Sequence, residues 1–165
     1  MTGRTSPRFC KFQLEDINGD MCDIPVSSLG SVGLTYEEID VSAMQELVKT
    51  FLAGQATFSM TISGPFDNSA AVTASASGES AAASLSGSFT VLEPLNGLLG
   101  PLAFGVYFGV ATDWTSGDPV FGADASVIVT DFTMDPSAGT YSAKLAHVSG
   151  GTAPYWDTAI ITPAT

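Results

Sequence analysis

The chain has 165 residues, of which 45% are hydrophobic, with 17 acidic side chains against 5 basic ones and a net charge of −12. That is long and apolar enough for one domain with a proper core, and it excludes a disordered chain. The acidic balance argues against a surface that grips nucleic acid or docks on anionic membrane, since both need Lys and Arg.

The sequence starts MTGRTSPRFC, which lacks the apolar centre of a signal peptide, and no stretch approaches the roughly 18 apolar residues of a membrane span. The expectation is a protein made and kept in a cytoplasm unless it leaves by another route. Three of the five cations, Arg4, Arg8 and Lys11, fall in the first eleven residues, so residues 12–165 carry −15 (2 minus 17). Residues 1–8 are expected to form a flexible basic arm. An acidic body with such an arm can bind a second copy of itself, or the arm is simply a loose terminus.

Strand signals begin at FCKFQLED (9–16), where Cys10, Phe12 and Leu14 alternate with polar residues. DINGD (16–20) reads as a three-residue hairpin loop with Gly19 in the left-handed conformation. The register it sets puts Leu14 opposite Cys22, Phe12 opposite Ile24 and Cys10 opposite Val26. Cys10 then lies four residues from the partner of Cys22, about 13 Å along the strand, beyond the ~7 Å a disulfide allows.

Next comes GLTYEEIDVSAM (33–44), with Glu37, Glu38 and Asp40 crowded together. As a strand it puts Tyr36, Glu38 and Asp40 on one face and Glu37, Ile39 and Val41 on the other, a solvated face beside a partly buried one. DVSAMQELVKTF (40–51) is a helix candidate with Ser42 as N-cap. ATFSMTISG (56–64) alternates Phe58, Met60 and Ile62 inward.

Residues 69–88 are almost entirely Ala, Ser, Gly and Thr. They bury little area and are expected as a peripheral excursion. TVLEPLNGLLG (90–100) is a weaker helix candidate, interrupted by Pro94 and Gly97. LAFGVYFGVA (102–111), ASVIVTDFTM (125–134) and TYSAKLAHVSG (140–150) are strands, the last two around the turn DPSAG, and DTAIITP (157–163) is expected to close the sheet. The sum is a mainly β fold: residues 9–165 as a single β-sandwich or barrel with one short flanking α-helix.

Chemistry is sparse. The single histidine, His147, sits on a strand with Leu145 on its own face. G-x-S-x-G, P-loop and dinucleotide motifs are absent. DINGD looks like the start of a calcium loop, but Met21 stands where Gly is needed and Ser27 where Glu is needed. Glu37, Glu38 and Asp40 would make an acid/base pair only if two of them faced one cleft. Phe66, Trp114, Tyr155 and Trp156 offer a carbohydrate platform as an alternative. The residues point to no enzyme, no cofactor and no metal.

The order of motifs is more telling. FQLEDINGDMCDI, SVGLTYEEIDVSAM, KTFLAGQATFSMTISGPFD, GPLAFGVYFG and SVIVTDFTMDPSAGTYSAKLAHVSG, in that order, resemble the major tail (tail tube) proteins of long-tailed, non-contractile bacteriophages. The resemblance touches residues 9–67 and 102–150; the Ala/Ser-rich 69–88 segment departs from it. It implies a β-sandwich subunit forming stacked, usually hexameric, rings around the tape-measure protein, alongside neighbouring tail proteins, in a tube that later passes the genome without gripping it. It places the protein in the tail of a virion built in a bacterial cytoplasm. It implies no active site, no cofactor and no membrane. Arg4, Arg8, Glu37, Glu38 and Asp40 are the candidate inter-subunit residues. A capsid decoration or neck protein on a related sandwich is the neighbouring alternative.

The hairpin register generates one direct prediction. Intact mass measured without reductant is expected to equal the mass of the fully reduced chain, and a loss of two hydrogens mapped to Cys10 and Cys22 would contradict it.

Overall fold

The structure is a computed structural model, and it describes residues 5–42, 48–49, 51–74, 85–110 and 114–164, with the side chains of 5–9 and 110 outside the description. Among the described residues, ten strands and one helix follow in the order β1 (Thr5–Glu15), β2 (Met21–Ile24), β3 (Ser28–Leu29), β4 (Thr35–Asp40), β5 (Phe51–Thr57), β6 (Ser59–Pro65), α1 (Ser88–Leu95), β7 (Leu102–Val110), β8 (Val120–Asp135), β9 (Thr140–His147) and β10 (Tyr155–Asp157). The fold is mainly β and antiparallel, as the alternation predicts.

The principal sheet runs β2-β1-β7-β8-β9-β6-β3, and β10 pairs with the start of β8. Its first and last strands are neighbours in sequence. Ile24 and Ser28 are four residues apart, at most about 15 Å of chain, whereas six strand spacings laid flat would separate them by about 29 Å. The sheet therefore has to curl until β2 and β3 approach. Bonds at the join hold it there. The Tyr141 hydroxyl donates to the Pro25 carbonyl at 2.9 Å, and the Ser27 N–H donates to the Ser63 carbonyl at 2.9 Å. Gly64 is required at this point, because a Cβ there would lie 2.3 Å from the Pro25 oxygen.

The alternating residues of each strand fill the inside of the curl. Phe12 and Leu14 of β1, Cys22 and Ile24 of β2, Met60 and Ile62 of β6, Phe104 and Val106 of β7, and Tyr141 and Leu145 of β9 form one cluster. Phe58 stacks on Phe104 with centroids 5.2 Å apart. Helix α1 adds Val91, Leu92 and Leu95 to the same cluster. The weaker helix candidate is thus the flanking helix: Pro94 is tolerated in its final turn, where the carbonyls it crowds lie near the helix start. The stronger candidate, 40–51, overlaps strands at both ends, since Asp40 closes β4 and Phe51 opens β5; 43–47 and residue 50 lie outside the described residues.

A second, smaller cluster lies on the outer face. Tyr107, Trp114, Val120 and Ile161 pack together. Gly105 and Gly122 face each other in the register and leave room for them: a Cβ on Gly105 would meet the Tyr107 ring at 2.7 Å. The Ile161 N–H donates to the Tyr107 hydroxyl at 3.1 Å. The closing strand expected at 157–163 is therefore replaced by β10 at Tyr155–Asp157 and an irregular segment that this hydroxyl straps down.

Three other expectations need adjustment. The hairpin register holds for Phe12–Ile24 and Leu14–Cys22, with Gly19 at φ +89°, but β2 ends at Ile24, so Cys10 pairs with Phe108 on the other side. Strand β1 starts at Thr5, so only residues 1–4 of the expected arm precede it. The ends of the 69–88 excursion are built into the fold. The Ser86 hydroxyl donates to the Val72 carbonyl at 2.9 Å and accepts the Val72 N–H at 2.9 Å, Ala74 N–H donates to the Met21 carbonyl, and Ser86 and Ser88 are fully buried. Small side chains are what allow this approach, for a Cβ on Gly87 would lie 2.2 Å from the Ser69 carbonyl. Residues 75–84 of the excursion lie outside the described residues.

Burial pushes the Tyr107 phenol up to about 12, the Ile161 N–H only partly opposing it, and burial also raises Tyr141. The unfolded chain ionises these groups near pH 10, so the stability they contribute is fully present below pH 10 and is lost as pH rises from 10 through about 12. Urea unfolding at pH 8, 10, 11 and 12 is expected to show a midpoint that is flat up to pH 10 and then falls. Tyr107→Phe should make that fall shallower while costing about 1–2 kcal/mol at neutral pH by stranding the Ile161 N–H. An unchanged alkaline profile would contradict it.

Candidate functional site

The acidic cluster lies on β4, which pairs with β5 in a two-stranded ribbon outside the principal sheet. The register is Ile39 to Leu52 and Asp40 to Phe51, with a bulge between Tyr36 and Glu38. Every residue of β4 is exposed, and β5 is exposed at all but Gly54. The expected division into a solvated and a partly buried face is overturned: among the described residues no layer lies against either side. Glu37 and Ile39 share one face with Leu52, and Glu38 and Asp40 share the other with Phe51, as antiparallel pairing requires.

The ribbon is unusual for an exposed element. Ile39 and Leu52 are 46% and 58% exposed, and Tyr36, Val41, Val48 and Phe51 are exposed as well. Two-stranded hairpins standing alone are marginal in water, and apolar side chains on both faces add to the cost of leaving this one uncovered. At its far end the Asp40 carboxylate accepts hydrogen bonds from Ser42, which hold it below the usual carboxylate range with help from Lys49 at 3.7 Å. That pair is solvent-exposed and shapes the end of the ribbon more than it stabilises it.

An acid/base role finds no support here. Among the described residues no cleft faces Glu37, Glu38 or Asp40, and all three are exposed. Asp16, the first position of the calcium-like motif, spends its oxygens on its own turn: Oδ1 accepts the N–H groups of Asn18 and Asp20 at 2.8 and 3.0 Å. His147 is exposed, with Nδ1 3.2 Å from the hydroxyl of the buried Ser126. The carbohydrate platform is also overturned. Trp114 is 2% exposed and packs edge-on to Tyr107 at 5.0 Å. Trp156, 56% exposed, sits in a different group beside Phe108 and Phe121.

Of the remaining candidates, Arg4 lies outside the described residues, and Arg8 is in β1 with its side chain outside them. One feature has no simple signal in the sequence. Where β2 stops short of the start of β1, the join of the curled sheet leaves an apolar cleft of ≈ 760 Å³ between β1 and the 25–32 segment, lined by Phe12, Ile24, Val26, Leu29, Phe108 and the exposed Leu85.

With the curled sheet, its open join and the projecting ribbon established, likenesses to known proteins become interpretable. No protein-family model and no curated protein sequence matches the chain. Solved structures do match. A chain from the sheath/tube terminator of the PVC extracellular contractile injection system, in the extended state, aligns over 95% of this chain and 99% of its own, with TM-score 0.56 and 10% identity. A chain from the PVC sheath–tube complex aligns over 90% and 88%, with TM-score 0.51 and 11% identity. A chain from the tube-terminating cap of the anti-feeding prophage aligns over 90% and 88%, with TM-score 0.50 and 14% identity. The fold is tail-tube-like. These three neighbours come from contractile injection systems, whereas the sequence resemblance is to non-contractile phages; the two agree at the level of the fold.

Because Ile39 and Leu52 are exposed, Ile39→Asp combined with Leu52→Asp is expected to leave the isolated subunit folded. Its thermal midpoint should stay within about 2–4 °C of the parent, the shift that about 1 kcal/mol produces in a domain of this size. Loss of cooperative unfolding in the double variant would show that the ribbon belongs to the core.

Proposed function

We propose that the protein is a structural subunit of a phage tail or tail-like injection particle, and that it assembles with copies of itself into rings belonging to the tube. The observation that carries this reading is the ribbon: a tail-tube-like fold that leaves an acidic, apolar two-stranded hairpin uncovered has the surface of a polymer-forming subunit.

In the finer reading the rings are hexameric and stacked, the tape-measure protein occupies the lumen during assembly, neighbouring tail proteins cap the ends, and DNA passes without specific contact. The charge suits that role. A strongly acidic wall repels DNA, and at physiological salt screening confines the effect to about 8 Å. Glu37, Glu38 and Asp40 then serve at subunit boundaries or the lumen, with Arg4 and Arg8 as basic partners from a neighbouring copy. A non-enzymatic role follows from the same reading.

A second reading is favoured by the terminator and cap neighbours: a ring that closes the tube and does not extend it. Electron microscopy with sedimentation separates the two. A tube subunit is expected to form stacks that lengthen with concentration. A terminator forms single rings of fixed size, and trimers that bind capsids would favour a decoration protein. High salt is expected to reduce assembly in either tail role. A protein that stays monomeric at every concentration and salt overturns the proposal.

A further inference from the structure

We propose that Gln13, Asp23 and Tyr107 form a binding site for water, buried on the outer face of the principal sheet. Gln13 of β1 is 1% exposed, yet neither its amide oxygen nor its amide nitrogen has a hydrogen-bond partner, and the same holds for the buried Oδ1 of Asp23. Alternation brings these atoms together. Phe12 and Leu14 point into the inner cluster, so Gln13 between them points to the opposite face, where Tyr107 packs.

In the ladders Gln13 stands opposite Asp23 of β2 on one side and Gly105 of β7 on the other. Directly opposed residues hold their Cβ atoms about 4.5–5.5 Å apart. Gly105 has no side chain, and Tyr107 occupies the place: a Cβ built there would lie 3.1 Å from the Tyr107 hydroxyl oxygen. The phenol is thereby set beside the Gln13 amide, and Asp23 is near enough to add to the burial that raises it. The hydroxyl oxygen accepts the Ile161 N–H, and its own proton meets no acceptor among the described residues.

The unmet groups decide the chemistry of the ligand, because they are of both kinds. Gln13 Oε1 and Asp23 Oδ1 call for donors, whereas the Gln13 amide N–H groups and the Tyr107 O–H call for acceptors. A metal cation serves only the first pair, and it would face the Lys11 ammonium, which lies 4.0 Å from Asp23 Oδ1 and 5.2 Å from the centre of the Tyr107 ring. An anion serves only the second pair and would face the Asp23 carboxylate. Water donates and accepts, and a buried water ordinarily has about three such partners. Held here, it ties β1 and β2 to the irregular segment that the same Tyr107 hydroxyl straps down at Ile161.

Solution NMR of the full chain reads the site directly. The Gln13 side-chain amide protons are expected to show a contact with water whose sign is opposite in nuclear and rotating-frame Overhauser spectra, which separates bound water from proton exchange. The contact should persist in Tyr107→Phe, which has no hydroxyl to relay it. A urea series on Gln13→Met supplies a second reading, since methionine keeps the length of the side chain and removes both polar ends. The expected midpoint is below the parent's, because the water loses a partner; an amide with nothing bound to it would instead give a higher midpoint on replacement. Should Gln13→Met fail to fold, the spectra of the parent and of Tyr107→Phe decide alone. Absence of the Gln13–water contact in the folded parent, its loss in Tyr107→Phe, or a Gln13→Met midpoint above the parent's overturns the proposal. A missing contact together with a lowered midpoint would identify a direct Gln13–Asp23 bond in its place.

Discussion

Three residues of chain govern this molecule. Strands at opposite ends of a seven-strand path are joined by Pro25, Val26 and Ser27, and a flat sheet cannot satisfy that link. The sheet curls, and curling gives the apolar sides of its strands a common interior into which α1 also delivers three residues. The tyrosine–proline bond, the close approach at Gly64 and the shortness of β3 are all consequences of bringing these ends together. So is the cleft: β1 extends beyond β2, and the join is left unfilled where no strand lies alongside.

The same link explains why the ribbon projects. Strand β3, which follows the link, has two residues and takes β6 as its neighbour, which leaves β4 and β5 outside the principal sheet. The following two strands pair with each other instead. Their composition mixes carboxylates with exposed apolar side chains. The carboxylates of one such surface repel those of another, while Ile39 and Leu52 leave apolar area in water.

How much of this could be read from residues alone follows the physics of each signal. Alternation marked β1, β6, β7, β8 and β9 because each has one face on the core, and Gly19 between two aspartates set the first hairpin's register. The ribbon was legible as strand but not as an uncovered one, since alternation of charge and apolar groups is the same whether the apolar side meets a core or a neighbour. The helix at Ser88–Leu95 was nearly hidden by Pro94, whose cost is small when it stands in the final turn. The closing segment misled because Ile160 and Ile161 look like strand and instead pack against an outer cluster built around Tyr107. The cleft and the bonds of Ser86 arise from pairings distant in sequence, which local pattern does not encode.

The register between β1 and β7 joins Phe12 to Val106, and this has a bearing on how the chain is made. At a synthesis rate of about 5–20 residues per second, the first strand leaves the ribosome roughly 5–20 seconds before its partner exists. During that interval the β1–β2 hairpin and the ribbon are the local structures available, and neither has a core to rest on. Only when β7 emerges does the sheet begin to propagate through β8 and β9 and return to β6, a sequence of long loop closures characteristic of slow β folding. The heavy negative charge on the chain emerging after the first eleven residues then acts in time as well as in space: it keeps many nascent, half-built copies from pairing edges with one another before each has closed its own sheet.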